Sequence, residues 1–182
     1  MSSNLRTGGQ ILVDSLKTHG TDTAFCVPGE SYLATLDAFH DATDDIQLVV
    51  CRQEGGAAYM ADAYAKLTGR PGICFVTRGP GATNASVGIH TARQDSSPVI
   101  LFVGQVARHM SEREAFQEID FRRMYGQMSK WVAQIDDPSR SPEMVSRAFH
   151  TAVSGRPGPV VLALPEDMQV ERTVAPEVGC YR

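Results

Sequence analysis

Short apolar runs recur along the chain, each bounded by Gly, Pro, Asp or Ser. The runs are about five residues long, and they are nearly continuous in apolar character rather than alternating with polar positions. Such runs are typical of strands that are covered on both faces, as in a parallel sheet. The predicted strands are Thr23–Val27, Gln47–Cys51, Gly72–Thr77, Val99–Val103, Trp131–Ile135 and Val160–Leu164.

Amphipathic stretches separate these runs, and their apolar residues recur at helical spacing. Gly20, Gly69 and Gly155 follow three of the stretches and are suited to ending a helix. The predicted helices are Gly9–His19, Leu33–His40, Glu54–Thr68, Ala82–Arg93 and Pro142–Ser154.

The alternation of strands and helices predicts an α/β fold. We expect a three-layer, doubly wound and mainly parallel sheet of about six strands with helices on both faces. Ligands bind such sheets at the carboxyl ends of the strands. Function is therefore expected in the loops that follow Val27, Cys51, Thr77 and Val103.

Composition and charge exclude some classes of binding partner. Hydrophobic residues make up 42% and charged residues 21% of the 182 positions, which is ordinary for a soluble globular domain. The net charge of −4 and the lack of a Lys/Arg-rich stripe argue against nucleic-acid binding. No apolar run is long enough to cross a bilayer, and the polar segment 1–9 does not resemble a signal peptide.

The cysteines indicate a reducing compartment. Cys26, Cys51, Cys74 and Cys180 form no C-x-x-C pair, and the five histidines show no metal-ligand spacing, so no metal site is predicted in this chain. The first three lie in predicted strands, where a free cysteine behaves as a small hydrophobic residue. A cytoplasmic location is expected.

Glu54 follows the second predicted strand and begins the next helix, where the helix dipole favours a negative charge. A glutamate at this position is also a common helix cap without further function. The same helix carries a stripe of small residues, namely Ala57, Ala58, Ala61 and Ala65. Such a stripe suits tight packing against another helix or a partner subunit, and if exposed it would favour dimerisation.

The third predicted strand leads into the turn G-P-G-A-T-N, residues 79–84. A Gly-rich turn before a helix can hold a phosphate. This turn is neither G-x-G-x-x-G nor a Walker A sequence, however, so the phosphate interpretation is weak.

Together these segments resemble the acetolactate-synthase-like family of thiamine-diphosphate (ThDP) enzymes. The strings RQEGGAAYMADAYAKLTG and TRGPGATNASVGIHTARQDSSPVILFVGQV are similar to consecutive segments of that family, and AFQEID and GRPGPVVLALPEDMQ continue the match in order. The resemblance covers nearly the whole chain. It identifies the chain as a pyrimidine-binding (PYR) domain.

The resemblance implies that Glu54 is the catalytic carboxylate, which bonds N1′ of the cofactor aminopyrimidine and activates it. It further implies that Thr77, Pro80 and Asn84 line the pyrimidine, so that the Gly-rich turn borders this ring and not the diphosphate. Hydrophobic surroundings raise the pKa of a carboxyl and help it to exchange a proton near neutral pH.

Four further residues are implied to lie near the substrate. The loop that contains Pro28 and Gly29, assigned to the cofactor, also carries Glu30 and Ser31 near the reacting carbon. Phe116 and Gln117 are implied to approach the site from the long connection after the fourth strand. For these six residues, an ordinary turn or packing role remains an alternative.

Two positions depart from the pattern of acetolactate synthases. The first loop reads P-G-E-S in place of the usual P-G-G-A, and the closing motif has Glu166 in place of a lysine. Both departures fall where the substrate is chosen. The sequence therefore leaves acetolactate synthesis open beside other 2-keto acid decarboxylases and carboligases.

The resemblance also implies parts that this sequence lacks. The G-D-G motif, which holds Mg²⁺ and the diphosphate, belongs to another domain, supplied in this family by a partner subunit. A central domain holds FAD in some members. We expect a PYR domain at residues 1–170, the start of a linker at 171–182, and a homo-oligomer in which the cofactor bridges two chains.

Three alternatives stay open at this stage. The chain could be a separate PYR subunit of a two-chain decarboxylase. It could be a non-catalytic binding or dimerisation module that retains the ThDP fold, or a generic α/β nucleotide-binding domain.

Overall fold

The six predicted apolar runs form one parallel sheet in the computed structural model, which describes residues 5–176 and 179. The strands in chain order are β1 (Arg6–Thr7), β2 (Thr23–Cys26), β3 (Gln47–Val50), β4 (Gly72–Val76), β5 (Val99–Gln105), β6 (Trp131–Gln134), β7 (Val160–Pro165) and β8 (Arg172–Thr173). The sheet order is β3-β2-β4-β5-β7-β6, and every neighbouring pair is parallel. This confirms the predicted fold class. The short strands β1 and β8 pair with each other in an antiparallel ribbon.

Helices cover both faces of the sheet. They are α1 (Gly8–Thr18), α2 (Leu33–Asp41), α3 (Glu54–Thr68), α4 (Gly79–Asp95), α5 (Phe121–Tyr125), α6 (Ser141–Val153) and α7 (Glu166–Val170). Residues of α1, α2, α6 and α7 form one hydrophobic core, and residues of α3, α4 and α5 form the other. The central strands are buried throughout because both layers pack on them.

Local sequence explains several helix boundaries. Thr7 and Gln10 form a capping box at the start of α1, since each side chain bonds the other residue's backbone N–H. Gly69 ends α3 in the left-handed region at φ 71°, a conformation that glycine adopts without steric cost. The helix α4 begins at Gly79, three residues before its predicted start at Ala82, with Pro80 in its first turn.

One expectation about coverage is wrong. The strand β3 is not covered on both faces, because it forms the edge of the sheet, and Val50 is 63% exposed. The segment after Pro165 remains part of the fold. It continues as α7, whose Met168 and Gln169 are buried, and β8 then pairs with β1, so the folded unit extends past residue 170 to Thr173.

The small-residue stripe of α3 is buried within the chain. Its four alanines are at most 2% exposed, and they pack in the same core as alanines of α4. Gly88 of α4 lies so close that an added Cβ would be 2.5 Å from the Cβ of Ala58. The helix–helix interpretation is therefore confirmed, and the expectation of an exposed stripe that drives dimerisation is wrong.

The described cysteines are free thiols. Cys26 and Cys74 are buried, as predicted for small core residues, whereas Cys51 is half-buried just after β3; Cys180 lies outside the described residues. Burial raises the pKa of the Cys26 thiol to about 11. Over the described ranges, no helix combines the length and the apolar character needed to cross a membrane.

Candidate functional site

The loops after β2, β3 and β4 meet at the carboxyl edge of the sheet, and Glu54 lies among them. Glu54 is the first residue of α3, and its predecessor Gln53 caps that helix by accepting a hydrogen bond of 2.8 Å from the Gly56 N–H. One carboxylate oxygen, Oε2, accepts a hydrogen bond of 2.9 Å from Nδ2 of Asn84. The Glu54 carboxyl is thus held at the start of α3 by a hydrogen bond from α4.

The other carboxylate oxygen of Glu54 lies beside a glycine. A Cβ added to Gly81 would be 3.5 Å from Oε1 of Glu54 and 2.9 Å from Cγ2 of Thr77. A side chain at position 81 would crowd Thr77 and contact this carboxylate oxygen, so glycine keeps the space beside Oε1 open. The carboxyl itself is only half-buried in this chain.

The loop after β2 is held against the start of the β4–α4 turn. The hydroxyl groups of Ser31 and Thr77 are hydrogen-bonded at 2.9 Å, and a Cβ added to Gly29 would be 2.5 Å from Cβ of Thr77. Glycine at position 29 is what allows this close approach. Pro28 is exposed at the same edge of the sheet.

Tyr32 fixes the far end of this loop. Its phenol is buried and donates a hydrogen bond to the backbone carbonyl of Val27. Burial raises the pKa of Tyr32, and the charges of Cys26, Cys74 and Glu54 act in the same direction. The loop is therefore closed on itself by a neutral, buried hydroxyl group.

The G-P-G-A-T-N turn bonds mainly within the chain. The Gly79 N–H donates to the backbone carbonyl of Gln117 at 3.0 Å, and the Ala82 N–H donates to that of Arg78 at 2.9 Å. The Gly79 N–H is thus already satisfied within the chain and Pro80 has no N–H, which disfavours the phosphate interpretation. Pro80 is exposed in the first turn of α4.

Phe116 and Gln117 lie on the connection between β5 and α5. Gln117 has a φ of 64°, in the left-handed region, and it meets the site through its backbone carbonyl, the acceptor for Gly79. The Phe116 side chain is 71% exposed. The structure therefore places residue 117 beside the Gly-rich turn, and it leaves the Phe116 ring facing solvent.

One charged residue at this edge was missed by the sequence interpretation. Arg78 is buried directly before α4, and its guanidinium donates to the carboxylates of Glu30 and Glu166. Glu30 was predicted only as a substrate-proximal residue. The sequence carried no signal for this cluster, since the partners of Arg78 lie 48 and 88 positions away.

The neighbouring acid Asp167 pairs with a different arginine. Arg108 donates to it from its backbone N–H at 2.9 Å and from Nε at 2.8 Å. Burial alone would raise the pKa of Asp167, but the bonds and charge of Arg108 prevail and lower it. Among the residues that the structure describes, no group of three or more His, Cys, Asp or Glu side chains is arranged to hold a metal ion.

Residues 6–124 match the family model described as "Thiamine pyrophosphate enzyme, N-terminal TPP binding domain". The chain is 43% identical over 164 residues to an acetolactate synthase of Arthrospira platensis, an alignment that covers 89% of this chain and 28% of the relative. It is 41% identical over 162 residues to a probable acetolactate synthase large subunit of Methanocaldococcus jannaschii, covering 89% and 27%. It is 38% identical over 162 residues to the mitochondrial acetolactate synthase catalytic subunit of Saccharomyces cerevisiae, covering 89% and 23%.

The chain spans less than a third of the length of these relatives. The match lies over the β2, β3 and β4 loops that surround Glu54. The chain therefore belongs to the thiamine pyrophosphate enzyme family, as an N-terminal TPP-binding domain.

Proposed function

We propose that this chain is the pyrimidine-binding half of a ThDP-dependent decarboxylase or carboligase that acts on 2-keto acids. Glu54 is the catalytic residue of this half. The relatives are acetolactate synthases of greater length, so the substrate and the complete activity are part of the proposal.

The observation that carries the proposal is the position of the Glu54 carboxyl. One of its oxygens is held by Asn84, and the other faces the space that Gly81 leaves open. A flat ring nitrogen that can accept or release a proton fits this arrangement. The aminopyrimidine of ThDP has such a nitrogen, and when bound the cofactor supplies the electron sink for bond cleavage next to a carbonyl.

In this proposal the other residues of the chain orient the ring and complete its surroundings. Thr77, Pro80 and Asn84 border the pyrimidine, and the loop with Pro28 and Gly29 closes one side. Glu30, Ser31, Phe116 and Gln117 face the substrate. The support is their common location at one edge of the sheet, to which the Ser31–Thr77 bond contributes.

The half-buried state of the Glu54 carboxyl supports a two-part site. We propose that a diphosphate-binding domain of a partner subunit, carrying Mg²⁺, covers the carboxyl and withdraws it from water. A central domain would follow the linker in the complete protein, and in some members of the family this domain holds FAD. The free thiols of the described cysteines support a cytoplasmic location, and the two-part site is the reason to propose a homo-oligomer.

The test is Glu54→Gln in the complete enzyme loaded with ThDP and Mg²⁺. We expect hydrogen–deuterium exchange at C2 of the bound cofactor, followed by NMR, to be lost, because the amide cannot pass a proton to the ring. Glu143→Gln serves as the matched control. It removes an exposed carboxylate of α6 that is paired with Arg140. Exchange at the wild-type rate in Glu54→Gln would contradict the assignment.

Titration calorimetry separates this role from that of a self-sufficient binding module. We expect ThDP with Mg²⁺ to bind this chain only after the diphosphate-binding domain is supplied. Tight Mg²⁺-dependent binding by the chain alone would mean that the diphosphate site lies here.

A further inference from the structure

Arg78 is a buried charge that the proposed chemistry does not use. Its side chain is 8% exposed, and Nη1 donates to Oε1 of Glu30 at 3.0 Å while Nη2 donates to Oε2 of Glu166. The two carboxylates are far more exposed, at 67% and 46%. The arginine is thus the buried centre of the cluster, and the two glutamates contact it from the side that faces solvent.

The cluster joins the loops after three strands, and β7 is not a neighbour of the other two in the sheet. Glu30 follows β2, Arg78 follows β4, and Glu166 follows β7. In the sheet, β5 separates β4 from β7, so no ladder of hydrogen bonds runs between those two strand ends. The Arg78 guanidinium connects the loop after β4 to the loop after β7 through its bond to Glu166.

A glycine on β5 makes the span sterically feasible. A Cβ added to Gly104 would lie 1.8 Å from Oγ of Ser31, the residue after Glu30. The first loop can therefore cross over the end of β5 only because position 104 has no side chain. An open cleft of about 570 Å³ adjoins the cluster, and Glu30, Ser31, Arg78 and Glu166 line it.

Stability alone is a weak reason for this arrangement. The third donor of Arg78, Nε, is buried and has no hydrogen-bond partner within residues 5–176 and 179. A buried donor without a partner opposes folding, and a buried ion pair often adds little net stability over apolar packing. The arginine therefore costs folding free energy that an apolar residue of similar size would not.

Arg78 is also the residue from which the cofactor-facing turn begins. Its carbonyl accepts the hydrogen bond of Ala82, which closes the first turn of α4, and Gly81 within that turn faces Glu54. The backbone of Arg78 is therefore part of the turn that lies beside the Glu54 carboxyl.

We propose that Arg78 is a positioning residue: clamped between Glu30 and Glu166, it holds the Gly79–Ala82 turn in register with Glu54. This inference rests on the proposed function for its catalytic consequence, but the clamp itself is a property of the chain. It follows that Glu166, which begins α7 after β7, controls the geometry of the pyrimidine site around Glu54. Glu30 acts through the same guanidinium, so the two carboxylates are not independent.

The first experiment measures amide hydrogen exchange in this chain for Glu30→Gln, Glu166→Gln and the double variant. We expect the Gly79 and Ala82 amides to exchange about tenfold faster in Glu166→Gln, while the urea midpoint stays close to that of the wild type. In the double variant the two amides should exchange much more slowly than the product of the two single accelerations would give, because both glutamates bond the same arginine. Unchanged exchange at Gly79 and Ala82, or acceleration spread over all amides in proportion to lost global stability, would overturn the proposal.

Arg78→Lys distinguishes a clamp from a simple need for charge. A lysine keeps the positive charge but lacks the planar fork that can bond two carboxylates at once. We expect it to behave like the double glutamine variant. Wild-type exchange at both amides in Arg78→Lys would overturn the proposal.

The second experiment uses the complete ThDP-loaded enzyme and measures C2 exchange of the cofactor together with kcat and KM. Glu166→Gln should lower the C2 exchange rate and kcat by about tenfold with little change in KM, since it misplaces a catalytic group rather than removing a substrate contact. Glu143→Gln is the control. If the wild-type enzyme itself shows no C2 exchange, the proposed function fails, while the amide-exchange result still decides whether the clamp exists.

Discussion

The two helical layers cover the same sheet with side chains of very different size. In the layer of α1, α2 and α6 the buried residues are mainly large, such as Leu12, Leu16 and Phe39. In the layer of α3 and α4 they are mainly alanines, with Gly88 at the closest approach of the two helices.

The difference separates two tasks. Large side chains bury more apolar surface per residue, so the α1 layer carries more of the hydrophobic stabilisation. Small residues let the backbones of α3 and α4 approach closely. That approach brings Asn84 of one helix within hydrogen-bond distance of Glu54 of the other. One layer thus chiefly stabilises the domain, and the other sets the geometry of its site.

The largest effect on stability should come from the layer of large side chains. Leu16 is fully buried in α1, and Leu16→Ala should lower the free energy of unfolding by about 2–5 kcal/mol through lost burial and the cavity left behind. Urea denaturation measures this loss. Below the unfolding transition, the complete enzyme should retain the C2 exchange rate of the wild type. A loss of exchange in the folded variant would show that this layer also sets the site.

A smaller change in the other layer should affect stability less and the site more. Gly88→Ala adds one methyl group, whose carbon would lie 2.5 Å from the Cβ of Ala58, and it should cost about 1–3 kcal/mol by forcing α3 and α4 apart. Because Glu54 and Asn84 lie on these two helices, C2 exchange of the bound cofactor should fall as well. Unfolding calorimetry and cofactor NMR on the same variant test both effects.

Gly56→Ala is the matched control for this variant, since it adds the same methyl group in the same helix pair. A Cβ at position 56 would approach only the Gln53 side chain, at 4.0 Å. Replacing a helical glycine that has free space should stabilise the domain by about 0.5–1 kcal/mol. If both variants destabilise equally, the close approach of the helices is not what limits the residue at position 88.

The smallest predicted effect is a dependence of the domain's stability on pH. It arises from His19, which packs in the layer of α1 and α6. His19 stacks on Phe149 with ring centroids 4.7 Å apart, and burial lowers its pKa. The unfolded chain therefore binds a proton more readily, so the contribution of His19 is complete above pH 6.5, the ordinary histidine value, and declines as the pH falls through its lowered pKa.

Urea denaturation at pH 7.5 and 5.5 tests this effect. His19→Gln should reduce the difference in stability between the two conditions, whereas His40→Gln, on the exposed side of α2, should leave it unchanged. An equal difference in stability in the wild type and in His19→Gln would contradict the assignment to His19.

The sheet could be predicted from the sequence because its strands are continuous apolar runs, a local signal. The helix α7 could not, because Glu166–Val170 is short, follows a proline and has the composition of a linker. Its burial depends on Met168 and Gln169 meeting α1 and α2, and such contacts leave no local pattern. The same limit explains why the first turn of α4 was not predicted, since Gly79 and Pro80 indicate a turn and not a helix.

For the site, motif resemblance predicted roles for Glu54 and Asn84, and the structure brings the two side chains into contact. It did not find the clamp on Arg78. The two departures from the acetolactate synthase pattern, in the P-G-E-S loop and at Glu166, were read from the sequence as separate differences. In the structure Glu30 and Glu166 bond one guanidinium, so the departures form a single feature that no local motif could reveal.

The ribbon of β1 and β8 has a consequence for the topology of the whole domain. Arg6 lies opposite Thr173, so the chain enters and leaves the folded unit side by side. The two ends of the folded unit therefore lie next to each other in space. Joining these two points and opening the chain at the exposed Gly155 turn would give a circular permutant with every pair of the main sheet intact. The same adjacency lets the unit be carried as an insert within a larger protein, where flanking segments would diverge from one small patch of its surface.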